Sequence, residues 1–224
     1  MSPELLRDFH KALDSLDGST ILLLSSEGKH FSTGYPIDRI PESIFHSSEE
    51  ERRHDPFESL MQRLSDWPAP IVASLQGDAW GRVLELLSCA DLRIAAEGIR
   101  LAIPSVRLGL VYSHTGMRRM GSALTRELFL TGETIDARRA MASGFLNRVC
   151  PEDQLEEETH EVLKSISKGT RAAFCGSRRL LNLLDEEETL SKDSLEEIAR
   201  IRHEAFSSEE SRKARAGHSS RKEG

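Results

Sequence analysis

No apolar run in this 224-residue chain approaches the ~20 residues needed to span a bilayer, which excludes a helical membrane protein. The first residues, MSPELLRDFHKALD, are charged and amphipathic and lack the apolar stretch of a secretory signal. An excess of basic charge is also missing. Thirty Lys and Arg stand against 37 Asp and Glu, a formal net charge of −7, which argues against a generic binder of nucleic-acid backbone. Cysteine is sparse. Cys89, Cys150 and Cys175 are odd in number and far apart, with no CxxC pair or Cys/His cluster, so neither a disulfide framework nor a metal site is indicated. These absences leave a soluble, cytoplasmic α/β protein as the expectation, without a membrane or nucleic-acid partner.

What is present is strongly patterned. Ser2 is a good helix N-cap with Pro3 at the first helical position, and Leu5, Phe9, Leu13 and Leu16 recur at helical spacing, which predicts one inward face. Ile21 to Leu24 is a short continuous apolar run of the kind found in buried parallel strands, and Ile71 to Leu75 reads as a second buried strand. Between them lie a charged stretch over 38–56 and a predicted helix over 57–66, stopped by Trp67-Pro68. Gly77-Asp78 reads as a turn into an apolar helix over 80–89, followed by short strands at Leu92–Ala95 and Ile99–Ile103. Further on, the pattern predicts a helix over 115–130, one capped by Asp136 and ended by Gly144, and a strand over Phe145–Val149. Helices over 153–168, 170–184 and 188–206 and an unstructured polar tail over 207–224 complete the chain. Strands and helices alternate first and helices dominate later, an α/β core with a helical appendage.

Four ordered blocks carry the chemistry: FSTGY (Phe31 to Tyr35), GDAWGRVLELLSCADLRIAAE (from Gly77), LAIPSVRLGLVYSHTGMRRM (from Leu101) and LFLTGETIDARRAMASGFLNRV (from Leu128). In this order they resemble the crotonase, or enoyl-CoA hydratase/isomerase, superfamily over about residues 3–184, most specifically in the last two blocks. The resemblance implies a crotonase-like α/β spiral of ββα units over 1–165, a C-terminal helical region over 166–206 that packs in a homotrimer or hexamer, and the tail. It also implies that the family's N-terminal β-hairpin is missing, leaving a sheet edge for a neighbouring subunit to cover.

Members of the superfamily hold the oxygen of an acyl-CoA thioester between two backbone N–H groups, which stabilise the enolate formed beside it. No cofactor is implied beyond the coenzyme A of the substrate. By the resemblance, the first donor is Tyr35, after Gly34, and the second is Arg82, after Gly81, where the family has a run of glycines. Arg82 and Val83 therefore depart from the pattern, at a place where glycine allows close approach to ligand and φ > 0. Of the two hydratase carboxylates, one maps to Glu85 and the other is replaced by Ser105. Hydration uses both groups to activate water and deliver a proton. The family's isomerases rely chiefly on the missing one. Tyr112 resembles the methylmalonyl-CoA decarboxylase branch, which also lacks the second carboxylate, and His114 falls near the pocket mouth.

Each of these residues also has a plainer role open to it. Glu85, on an apolar helix, is either a site carboxylate or half of a structural pair with an Arg. Tyr112 lines the pocket or simply packs. Trp80 and Cys89 read as core. Arg178 and Arg179 stand either near the CoA phosphates or on a solvated helix face. The leading expectation is an acyl-CoA enzyme of the hydratase/isomerase type that stabilises an enolate. The alternatives are a decarboxylase using Tyr112 and a weak or inactive homologue that binds acyl-thioesters or protein partners.

Overall fold

The computed structural model describes residues 1–34, 55–108 and 122–186, together with residues 209 and 213. Helix α1 (Pro3–Asp14) opens as predicted: Ser2 is the N-cap and its hydroxyl accepts from the Leu5 N–H. Its inward face differs from the predicted one. Leu6 and Leu13 are buried, whereas Leu5 is 51% and Leu16 41% exposed. Two adjacent apolar stripes are available on this helix, and docking decides between them. Helix α2 (Pro56–Ser65) lies alongside, with Arg63 bonded to the His10 carbonyl (3.1 Å) and to Asp14 (2.6 Å).

The strands fall into two four-stranded sheets, visited alternately. Strands β1 (Leu22–Leu24), β3 (Ile71–Leu75), β5 (Leu92–Ala96) and β8 (Arg148–Cys150) form one sheet, in that order and all parallel. Strands β2 (His30–Ser32), β4 (Asp78–Trp80), β6 (Arg100–Ala102) and β7 (Thr134–Asp136) form the other, parallel except for β7. The chain runs β1, β2, α2, then β3, β4, α3 (Val83–Ser88), then β5, β6. Each turn of the path lays one strand in each sheet and adds a helix where these are described, which is the predicted spiral of ββα units. Strand β3 lies between two neighbours and is buried at every position, as its mostly apolar sequence requires. Strand β1 is at an edge, and Leu23 there is 44% exposed.

Several elements depart from their predicted bounds. Residues 78–80, read as a turn into a helix, pair as β4 between β2 and β6, and the helix shrinks to α3. The final strand begins at Arg148 rather than Phe145, because Phe145 and Leu146 are buried in the turn after α5 (Ala137–Ala142). Asp136 caps α5 as predicted, accepting from the Arg139 N–H (2.7 Å). Of the helix predicted over 115–130, the described part is α4 (Ser122–Thr131). Helices α6 (Leu155–Ser167) and α7 (Arg171–Glu186) follow. The helix predicted over 188–206 and most of the tail lie outside the described residues. Glu209 and Lys213, expected to be unstructured, are helical and form an i,i+4 ion pair of 2.6 Å.

Two buried arginines tie the layers together. Arg93 stacks on Phe145 at 4.9 Å and donates to the carbonyls of Phe145, Ala90 and Leu87. Arg178, 3% exposed on α7, donates to Asp91 (2.8 Å) and to the carbonyls of Leu64, Ser65, Trp67 and Cys89. It therefore does not lie on a solvated face; it fastens α7 to the end of α2. Cys89 is buried as expected, while Trp80 is only half-buried, with the Arg100 guanidinium 5.8 Å from its ring. No helix among the described residues is long and apolar enough to cross a membrane.

Candidate active site

Parallel strands β2, β4 and β6 end together, and the carboxyl ends of parallel strands are where α/β sheets place their ligands. Gly34 follows β2, Gly81 follows β4, and Ser105 follows β6. Strand pairing aligns Trp80 with Ala102, and the Gly81 N–H donates to the Ala102 carbonyl (2.8 Å). Gly34 has φ +85°, and a Cβ placed on it would stand 2.6 Å from the Trp80 carbonyl oxygen and 3.7 Å from the Gly81 Cα. The two segments that carry the candidate oxyanion donors therefore lie against each other, separated by a gap only a glycine fits.

The left-handed conformation in the second segment belongs to Gly81, at φ +71°, and not to Arg82. Arg82 is the N-cap residue of α3 with φ −60° and ψ −13°, which any residue adopts. The backbone reason for a glycine there is thus absent. The expected crowding by the arginine side chain is also relieved, because that side chain is turned into the protein. Arg82 is 8% exposed. Its guanidinium lies 4.0 Å above the Phe57 ring and donates to Glu58, both on α2.

Glu85, one turn along α3, is fully buried, and its Oε1 stands 3.5 Å from the Arg82 Nε. One guanidinium is thus shared between two carboxylates, Glu58 and Glu85. Glu85 thus makes an ion-pair contact with an arginine, the pairing its plainer reading names. Its partner is also the residue whose backbone N–H the resemblance assigns to the oxyanion hole. Ser105, at the place of the second hydratase carboxylate, is buried in a 3-10 turn over Pro104–Leu108. Tyr35, Tyr112 and His114 lie outside the described residues. Glu58 and Phe57 were not legible as site neighbours. They precede Arg82 by 24 and 25 residues on a separate helix, and no spacing pattern joins them.

At the opposite, amino-terminal ends of β2, β4 and β6, Asp78 accepts from the Arg100 backbone and side chain (both 2.8 Å) and faces His30 at 3.9 Å. Burial alone would raise its carboxyl. The hydrogen bonds and charge of Arg100 outweigh that and hold it below the ordinary carboxylate range. Among the described residues, no group of three or more His, Cys, Asp or Glu is placed to hold a metal.

Two sheets wound as a ββα spiral, with glycine loops meeting over the ends of three parallel strands, define the crotonase class of α/β proteins. The chain belongs to the enoyl-CoA hydratase/isomerase family, whose profile matches residues 1–223. It is 28% identical over 218 residues to a methylmalonyl-CoA decarboxylase of Escherichia coli (strain K12), covering 94% of this chain and 82% of that protein. A probable enoyl-CoA hydratase of Bacillus subtilis (strain 168) is 29% identical over 221 residues, 95% of this chain and 84% of that protein. Among solved structures, an enoyl-CoA hydratase of Mycobacterium smegmatis superposes with a TM-score of 0.84 at 22% identity, over 99% of this chain and 87% of that one. A methylmalonyl-CoA decarboxylase complexed with 2S-carboxypropyl CoA superposes with a TM-score of 0.73 at 28% identity, over 92% and 81%.

Proposed function

We propose that the protein decarboxylates a 2-carboxyacyl-CoA thioester of the methylmalonyl type, through an enolate held by the backbone N–H groups of Tyr35 and Arg82. The observation that carries this reading is the state of the two carboxylate positions. One is Ser105. The other, Glu85, is fully buried and engaged with Arg82. Hydration asks a pair of groups to activate water and move a proton, and that pair is not present here. Decarboxylation needs no general base and no activated water. The bond between C2 and the carboxylate breaks, its electron pair becomes the enolate, and carbon dioxide leaves. A proton from the Tyr112 hydroxyl then restores the C–H bond at C2, and solvent reprotonates the tyrosinate. The catalytic demand is stabilisation of charge on the thioester oxygen, and each preorganised donor supplies about 3 kcal/mol of it. The likeness to the methylmalonyl-CoA decarboxylase supports the same reading.

Hydration of an enoyl-CoA remains the second reading, favoured by the presence of Glu85 itself. The homotrimer or hexamer belongs to the same proposal. Leu181 and Leu184, 59% and 50% exposed on α7, support a further contact there. The deciding experiment incubates the protein with methylmalonyl-CoA and with crotonyl-CoA. We expect propionyl-CoA by mass spectrometry, lost in Tyr112→Phe, and no decline of the enoyl absorbance. Turnover of crotonyl-CoA abolished by Glu85→Gln, with methylmalonyl-CoA untouched, would install the hydratase instead. Absence of turnover and of CoA-ester binding by calorimetry would remove both and leave the inactive homologue.

A further inference from the structure

The arginine at the second oxyanion position raises a question that glycine would not: what fixes its side chain, and therefore its backbone? Three contacts do. The guanidinium stacks on Phe57 at 4.0 Å, donates to the Glu58 carboxylate, and sits 3.5 Å from Glu85. The side chains of Arg82 and Glu58 are only 10% and 14% exposed, and Glu85 is 0%. A charge-assisted bond so withdrawn from water is stronger and more directional than one at the surface. Arg82 begins α3 directly after Gly81, which holds the left-handed conformation. The Gly81 and Arg82 carbonyls accept from Leu84 (3.1 Å) and Glu85 (3.0 Å) within the helix start, and the side-chain anchor adds a tie from this turn to another helix.

We propose that Glu58 is a positioning residue for the oxyanion hole. It holds the Arg82 guanidinium against Phe57 and so fixes the direction of the Arg82 N–H and the approach of that guanidinium to Glu85. This proposal rests on reading the Arg82 N–H as an oxyanion donor. It assigns helix α2 a part in the site that the family's glycine run does not call for: the side-chain anchor replaces close-packed glycine backbone as the source of rigidity. Small displacements matter here, since a misplacement of about 1 Å costs on the order of 100-fold in rate.

The test is a cycle of Glu58→Gln, Glu58→Asp, Arg82→Gly and the double variant Glu58→Gln/Arg82→Gly. It is read by steady-state kinetics on the thioester that the wild type turns over and by amide hydrogen exchange over residues 81–85. Glu58→Gln is expected to lower kcat about 10- to 100-fold with KM within about twofold, because the contact is felt at the developing charge and not in ground-state binding. Exchange at Arg82 to Glu85 should quicken while α1 stays as in the wild type. Glu58→Asp, which keeps the charge, should recover part of both. In the Arg82→Gly background, Glu58→Gln should add nothing, since the path runs through the guanidinium. An equal loss in both backgrounds, or unchanged exchange in Glu58→Gln, overturns the proposal. If Arg82→Gly does not fold, Arg82→Lys takes its place: lysine keeps the charge without the planar fork, and the Glu58→Gln effect should shrink. A wild type that turns over no CoA thioester, yet shows quickened exchange only in Glu58→Gln, retains the anchor and refutes the catalytic reading instead.

Discussion

Gly34→Ala is the sharpest probe of the site's construction. The new Cβ would meet the Trp80 carbonyl oxygen at 2.6 Å, where ordinary contact begins at 3.4 Å, a shortfall of 0.8 Å against backbone that has no rotamer to change. The residue would also have to keep φ +85°, which costs an L-residue about 1–2 kcal/mol. Relief of the overlap adds an overpacking cost of about 1–3 kcal/mol. The total, about 2–5 kcal/mol, corresponds in a chain of this size to a Tm lower by roughly 5–15 °C. The functional effect should exceed the thermal one. The loops at Gly34 and at Trp80-Gly81 press on each other, so both candidate donors shift together by a large fraction of 0.8 Å. On the scale of about 100-fold per ångström of misplacement, kcat should fall at least tenfold at temperatures well below the transition. Differential scanning calorimetry and single-turnover kinetics on the same preparation separate the two effects. A variant with wild-type Tm and wild-type kcat would refute the packing of these two glycine loops. One with lowered Tm but intact kcat would refute their role as the oxyanion cradle.

Two other perturbations follow from the buried charges. Arg178→Ala should destabilise by about 3–5 kcal/mol in urea denaturation, because it removes the buried cation paired with Asp91 and takes a donor from four backbone carbonyls, while the folded fraction keeps its KM for CoA ester. A raised KM with unchanged stability would support the phosphate-binding role. Asp78→Asn should cost stability in a pH-dependent way. The folded carboxyl lies below its ordinary value, so its contribution is complete above the unfolded value of about 3.9 and fades as pH falls through the lower folded value. The gap between wild type and variant should therefore be widest near neutrality and close in acid. A gap that grew as pH fell below 4 would contradict the Arg100 pairing.

Much of the fold was legible in linear order, for reasons visible in particular residues. Ser2-Pro3 and Asp136 announced helix starts, because a capping side chain acts on amides two or three residues away. Ile71 to Leu75 announced a buried strand, because a strand covered on both faces is mostly apolar; its one polar residue, Ser74, accepts from the Thr159 hydroxyl (3.0 Å). Strand β4 was hidden, since Asp78-Ala79-Trp80 carries no periodicity of its own and becomes a strand only between β2 and β6. Of the candidate site, Gly34, Gly81 and Ser105 were legible as residues of loops that follow short strands, and the structure brings those strand ends together. The site's inner support was not legible. Glu58 and Phe57 reach Arg82 from another helix, and a contact between surfaces leaves no spacing rule in the chain.

The sequence alone therefore determined the α/β class, the family and the glycine loops that follow the strands, all consequences of local patterns and ordered motifs. Only the tertiary structure decided that the left-handed residue is Gly81 and not Arg82, that Arg178 is a buried fastener and not part of a solvated face, and that Glu85 shares its arginine with Glu58. Each of these depends on which surfaces meet. A burial energy summed over two elements selects that meeting, and neither element encodes it alone.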